Sequence, residues 1–127
     1  MTVQVHDDGA ALTFRREDGA DLATYVYRPT DVPYESPRPY FHPLRTSGGR
    51  EVSAYRPWDH VWHKGLVWSL PNVGPYNFWG GPTFVRDEGY RDLGNDGSMD
   101  HESFAGSGPE GGAFTEELTP EHVRLLD

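Results

Sequence analysis

Residues 12–27 read LTFRREDGADLATYVY, and this stretch decides the fold class. Apolar residues alternate with polar ones on both sides of a Glu-Asp-Gly turn sequence; they are Leu12, Phe14, Ala23, Tyr25 and Tyr27. Alternation with a period of two, interrupted by Asp-Gly, is typical of an antiparallel hairpin. The same pattern comes before it, around Asp7-Asp8-Gly9, so we predict an antiparallel meander in the first third of the chain.

The rest of the chain is rich in turn-forming residues, with 15 glycines and 11 prolines in total. This composition favours short strands joined by turns, and proline places the strand at residues 40–45 at a sheet edge or a bulge. Further short strands are predicted at residues 51–55, 66–70, 99–104 and 113–118, with an acidic loop at 87–97. Thr119 and Pro120 have the sequence of a helix start, which predicts a short C-terminal helix. We therefore predict an all-β fold, an antiparallel β-sandwich, as a single domain over residues 1–127.

Composition limits the classes of partner. The formal net charge is −9, which disfavours nucleic acid and anionic membrane surfaces as partners. No apolar run approaches the ~20 residues that a membrane-spanning helix needs, and the first residues lack the pattern of a secretory signal. The chain has no cysteine, so disulfides and thiolate metal sites are excluded. We expect a cytoplasmic protein with a small-molecule ligand.

Histidine and aromatic residues are concentrated in three segments, residues 39–43, 58–65 and 77–81. An imidazole beside an indole or phenyl ring forms a surface that can hold a flat polar ligand and move a proton on it. His60 and His63 would point to opposite faces of a strand, so only a turn lets them converge. We predict that the three segments meet in one pocket.

Acid–base chemistry needs an imidazole and a carboxylate across a cleft, and the catalytic candidates are His42, His60, His63, Asp59 and Glu88. Asp96 is a further candidate acid, although Asn95-Asp96-Gly97 is more typical of a solvated turn. The candidates for substrate binding are Tyr40, Arg45, Trp62, Lys64, Asn77, Trp79 and His101. The glycines after Trp79 would let a ligand approach the backbone, whereas Trp68 is assigned to packing. Acid–base chemistry of this kind requires no cofactor; if a metal is bound, its ligands would be His42, His60 and His63.

Three ordered motifs carry a family resemblance: Arg38–Thr46 (RPYFHPLRT), Arg56–Gly65 (RPWDHVWHKG) and Asn77–Gly81 (NFWGG). They resemble the signature stretches of a bacterial PmoA-like family, whose members carry the label methane oxygenase PmoA family protein or domain of unknown function. The resemblance covers about residues 10 to 118. It implies kinship with the galactose-mutarotase-like β-supersandwich proteins, in which a histidine acid and a glutamate base act on sugars.

The resemblance also implies that relatives continue through further strands. We therefore expect this chain to be an N-terminal half, which would associate with itself or with a complementary chain. The function it favours is acid–base chemistry on a carbohydrate, of the epimerase, mutarotase or lyase type. The alternatives are a non-catalytic carbohydrate-binding module that uses its tryptophans, and a histidine-ligated metal-dependent oxygenase or hydrolase.

Overall fold

The computed structural model describes residues 2–106 and 114–122. Among them, the regular elements are almost all strands. The strands are β1 (Val3–Asp7), β2 (Ala11–Arg16), β3 (Asp21–Val26), β4 (Tyr40–Leu44), β5 (Leu66–Val67), β6 (Asn72–Val73), β7 (Tyr76–Asn77), β8 (Thr83–Val85), β9 (Gly89–Arg91), β10 (Gly97–Phe104) and β11 (Glu116–His122). A 3-10 helix at Pro33–Glu35 is the one helical element in these described ranges. The all-β prediction is confirmed.

The main sheet has five antiparallel strands in the order β1-β2-β3-β4-β5. The three remaining pairs, β6-β7, β8-β9 and β10-β11, are two-stranded. The predicted meander is correct because its turns are built locally. Gly9 takes a left-handed φ of 91°, and the carboxylates of Asp7 and Asp8 accept hydrogen bonds from the turn backbone.

The core lies on one face of the meander. Its buried residues are Leu12, Phe14, Tyr25 and Tyr27. These are among the alternating apolar positions of residues 12–27. Rings from the β10–β11 region cover them, because Phe114 contacts Phe14 and Tyr25 while Phe104 contacts Tyr27. The two-sheet sandwich itself stays a prediction.

Two predicted elements differ in the structure. The predicted C-terminal helix is wrong over residues 120–122, because these residues continue β11 and pair with β10; residues 123–127 lie outside the described ranges. The predicted strand at 51–55 is reduced to two isolated bridges, Arg45–Glu51 and Tyr55–Lys64. Across the described ranges, no helix has the length and apolar character to cross a bilayer.

Candidate functional site

The loop at residues 56–63 brings the two central histidines together. The His63 amide donates to the carbonyl of His60 at 2.9 Å, and the His60 amide donates to Pro57 at 2.9 Å, so two tight turns follow each other. The Arg56 amide closes the loop on the carbonyl of His63 at 2.8 Å. This is the predicted turn, and it stacks the imidazoles of His60 and His63 with ring centroids 5.1 Å apart.

Two indole rings, one from this loop and one from residues 77–81, extend this stack. The His63 imidazole meets the indole of Trp79 edge to face at 5.8 Å, and the Trp62 indole lies 5.1 Å from the His60 ring. The Asp59 carboxylate contacts the His60 imidazole, with Oδ2 3.2 Å from Nδ1. Residues 58–65 and 77–81 therefore meet, as predicted.

The glycines after Trp79 serve protein packing rather than an open backbone. A Cβ on Gly80 would lie 2.5 Å from Cβ of Trp62, and one on Gly81 would lie 2.6 Å from its ring. Both glycines have positive φ, 96° and 71°. The expected space for a ligand beside this backbone is thus filled by Trp62.

Asn77 shapes the loop that carries Trp79. Its side-chain oxygen accepts from the amides of Trp79 (2.8 Å) and Gly80 (3.1 Å), and its amide nitrogen donates to Gly81 O and Thr83 Oγ1. All four of its hydrogen-bonding positions are used. Asn77 is therefore a positioning residue for Trp79 rather than a group that is free to bind a ligand.

Trp79 also borders a groove of about 270 Å³. Three ring side chains stand along it, and all are exposed: Trp79, Phe84 and Tyr90. The remaining lining residues are Pro71, Asn72, Asn77, Pro82 and Thr83. We call this the aromatic groove. It combines exposed π faces with amide and hydroxyl groups, which is the mixture found in sites for small polar ligands.

A network of four charged residues has Lys64 and Glu35 buried at its centre. The Lys64 ammonium contacts Asp31 Oδ1 and Glu35 Oε2, each at 2.6 Å, and its side chain is 6% exposed. Arg56 binds Glu35 through Nη2 at 2.5 Å and Nε at 3.1 Å. We call these four residues the Lys64 network. Because both its cations and both its carboxylates are engaged with one another, Lys64 holds the fold here rather than a ligand.

Burial controls the protonation of groups in this region. Burial, the neighbouring His60 imidazole and the Arg38 guanidinium lower the pKa of His63, which favours the neutral form of its ring. Burial alone would raise the pKa of Glu35, but the bonds from Arg56 and Lys64 outweigh it and lower that pKa. Burial also raises the pKa of Tyr40, which lies beneath this network. Nε2 of His63 and Nε1 of Trp62 are buried without a hydrogen-bond partner in the described part of the chain.

The other predicted site residues lie elsewhere. His42 binds Ser53 Oγ at 2.8 Å and stacks on Tyr55, so its contacts do not reach His60 or His63. Glu51 is its nearest acid at 3.8 Å, and the same carboxylate faces Arg45 at 3.5 Å. Glu88 stands on the exposed β8–β9 turn, paired with Arg91 at 2.9 Å. Residues 58–65 and 77–81 thus pack against each other through their rings, while Tyr40 of the first segment lines the space beside Trp62. The aromatic groove is lined by residues of 77–81 and not of 39–43 or 58–65, so the expected single pocket shared by the three segments stays a prediction.

His101 belongs to a separate group. Its Nδ1 lies 2.5 Å from Glu116 Oε1, and both side chains are 6% exposed. The hydroxyl of Tyr25 donates to the second oxygen of the same carboxylate. Glu116 was not predicted as the partner of His101. Antiparallel pairing of the predicted strands at residues 99–104 and 113–118 would have placed Glu116 near His101.

Asp96 corrects the prediction of a solvated turn. It is 5% exposed, and the Ser36 hydroxyl donates to its carboxylate at 3.5 Å. Burial and, to a smaller degree, the nearby Asp92 raise its pKa to about 6. Asp31 and Glu35 were also not predicted as partners of Lys64, because the proline-rich segment that holds them has no periodic pattern. The sequence feature that could have indicated them is the presence of acidic residues among the prolines.

The proposed metal ligands are not assembled. Across residues 2–106 and 114–122, no group of three or more histidine, aspartate or glutamate side chains is arranged to hold a metal ion. The separation of His42 from the other two histidines accounts for this result.

Comparison with known proteins gives one match. A family model described as "Family of unknown function (DUF6807)" matches residues 14–123. No curated protein and no solved structure matches the chain.

Proposed function

The chain belongs to this family of unknown function, and from the geometry above we propose that it recognises a carbohydrate in the aromatic groove and moves a proton on it through His60. One observation carries the proposal: three exposed rings, of Trp79, Phe84 and Tyr90, line one groove of about 270 Å³. Tyr90 is 72% exposed and Phe84 is 62% exposed. Rings this exposed contribute little to the core, so their clustering favours a binding role.

A monosaccharide suits this groove chemically. One face of a pyranose carries C–H groups, which pack against the π face of an aromatic ring, while its hydroxyls need hydrogen-bonding partners. Asn72 is the lining amide that is exposed at the groove, since Asn77 is saturated and Thr83 bonds to Asn77 and Asn95. The volume favours one or two sugar rings rather than a long chain.

The proton-transfer part of the proposal rests on the row Trp79, His63, His60. The Trp79–His63 contact of 5.8 Å and the His63–His60 contact of 5.1 Å connect the ring at the groove to His60. The His60 side chain is 49% exposed. Asp59, 3.2 Å from Nδ1 of His60, would orient this ring and leave Nε2 as the nitrogen that exchanges a proton. His60 lies outside the groove lining, so the proposal requires the bound sugar to extend past Trp79 to reach it. We assign His60 as the acid–base group and His63, which is more buried, as the residue that positions it. The favoured reactions are epimerisation, mutarotation and elimination.

The non-catalytic binding module is the second candidate, and the same groove favours it. Kinship with PmoA-like and galactose-mutarotase-like proteins stays a prediction from the three motifs, and it agrees with both candidates. The two differ in whether His60 affects anything beyond affinity.

Binding is tested by titrating the full chain with a panel of neutral mono- and disaccharides, using calorimetry. We expect saturable binding of at least one sugar, and about a tenfold loss of affinity in Trp79→Ala, which corresponds to ~1.4 kcal/mol. Trp68→Ala is the matched control, because Trp68 is 65% exposed but lines a different hollow. Silence across the panel, or equal effects of the two variants, contradicts the proposal.

Catalysis is tested on the bound sugar. Exchange NMR at pH 7 measures anomer interconversion, and solvent deuterium incorporation at carbon reports epimerisation or elimination. We expect His60→Gln to abolish the accelerated exchange with little change in affinity. A sugar that binds well while none of these reactions is accelerated establishes the binding module instead.

A further inference from the structure

A second cleft, of about 270 Å³, lies beside β10 and away from the residues of the aromatic groove. Its lining combines an imidazole, a guanidinium and a carboxylate with apolar residues. These are His101, Arg28 and Asp100, together with Tyr27, Pro29, Pro37 and Met99. We call it the His101 cleft.

The imidazole in this cleft is held rigidly. Glu116 occupies its Nδ1 at 2.5 Å, and the rings of Tyr27 and Phe104 pack against it with centroids 4.6 Å away. The hydroxyl of Tyr25 fixes the other oxygen of Glu116. A ring whose Nδ1 is bound to a buried carboxylate has a defined orientation, and Nε2 is the nitrogen that remains for a ligand.

Arg28 and Asp100 bring opposite charges to the cleft. Arg28 lies over the Tyr27 ring at 5.7 Å, and neither Arg28 nor Asp100 forms an ion pair in the described ranges. A guanidinium selects carboxylates through paired hydrogen bonds. A carboxylate in the same cleft accepts hydrogen bonds and disfavours a ligand that is only anionic.

We propose that the His101 cleft is a binding site for a small polyhydroxylated carboxylate, of the sugar-acid class. The ligand's carboxylate pairs with Arg28, and its hydroxyls donate to Asp100 and to Nε2 of His101. The volume limits the ligand to about the size of one six-carbon acid. This site stands apart from the aromatic groove and does not depend on the proposed function.

The test uses sodium galacturonate and sodium gluconate as probes, with neutral galactose for comparison, in calorimetry on the full chain. We expect saturable binding of at least one acid, at least tenfold tighter than galactose in this cleft. Arg28→Gln should weaken the acid at least tenfold. His101→Asn should weaken it as well, because asparagine can keep the donor to Glu116 but has no counterpart of Nε2.

Controls separate this site from the groove and from misfolding. Thermal unfolding of His101→Asn close to that of the unchanged chain shows that its loss of binding is local, and Phe84→Ala should bind the acid with unchanged affinity. Binding that is lost in Phe84→Ala but kept in Arg28→Gln would place the acid in the aromatic groove and overturn the proposal. So would the absence of saturable binding to either acid.

Discussion

The imidazole of His63 stands almost perpendicular to the indole of Trp79, with ring planes at 87° and centroids 5.8 Å apart. This contact joins two segments that are separated by more than a dozen residues in sequence. It places a titratable group directly behind the ring that borders the aromatic groove. The protonation state of His63 and the position of Trp79 are therefore expected to be coupled.

His63 should titrate below 6.5, its ordinary pKa value, because burial and the His60 ring oppose its protonation. The unfolded chain then binds more protons than the native protein, so the free energy of unfolding falls as the pH drops below 6.5. Proton NMR of the imidazole signals measures the midpoint, and the signal absent from His63→Gln assigns it. A midpoint at or above 6.5 would contradict this description of the site.

Asp96 should shift stability in the opposite direction. Its pKa is raised to about 6, so the native protein holds a proton that the unfolded chain has lost, and the free energy of unfolding decreases as pH rises from about 4 to 6. Asp96→Asn should therefore stabilise the protein at pH 7 by about 1–3 kcal/mol. Chemical denaturation at pH 4 and pH 7 checks this, with the exposed Glu102→Gln as the control. Equal stabilisation at both pH values would show that the carboxyl is not the cause.

Lys64→Met should strongly destabilise the protein. The change keeps the length of the side chain but leaves Asp31 and Glu35 buried with Arg56 as the remaining cation, and breaking a buried ion pair costs about 3–5 kcal/mol. Urea denaturation measures the loss. Arg15→Gln is the comparison, because the Arg15–Asp21 pair is exposed and should matter little. Similar midpoints for the two variants would mean that the Lys64 network does not stabilise the fold.

Gly80→Ala should cost more stability than Gly9→Ala. Both glycines have left-handed backbones, with φ of 96° and 91°, so the conformational penalty of ~1–2 kcal/mol is shared. A Cβ at Gly9 meets nothing within 4 Å, whereas one at Gly80 meets Trp62 at 2.5 Å. The difference in free energy of unfolding between the two variants therefore measures the clash with Trp62. We expect this clash to add about 1–3 kcal/mol to the destabilisation. Thermal denaturation that gives equal losses would contradict the close packing of Trp62.

The meander was predictable because its determinants are local. Alternation in β2 and β3 places Leu12 and Tyr25 on one face, and Asp-Gly turns fix the pairing within a few residues. The turn that stacks His60 on His63 was predictable for the same reason, since a strand would have separated them.

What sequence reasoning missed depends on distant pairing. Thr119-Pro120 is a valid helix start, but pairing with β10 makes it part of a strand. Asn95-Asp96-Gly97 reads as a solvated turn, but Ser36 and the 77–81 loop pack over it. The aromatic groove was not predicted because Phe84 and Tyr90 belong to a hairpin that has no histidine or tryptophan, where Glu88 was the candidate residue.

The most direct test of carbohydrate recognition in the aromatic groove is to follow the four tryptophan indole N–H signals by NMR. Single Trp→Phe variants assign each signal to its residue. During titration with the best-binding neutral sugar, we predict that the Trp79 signal shifts in a saturable manner. The Trp68 signal should stay in place. Saturable movement of Trp68 with a stationary Trp79, or no movement of any indole at saturating sugar, would contradict the proposed site.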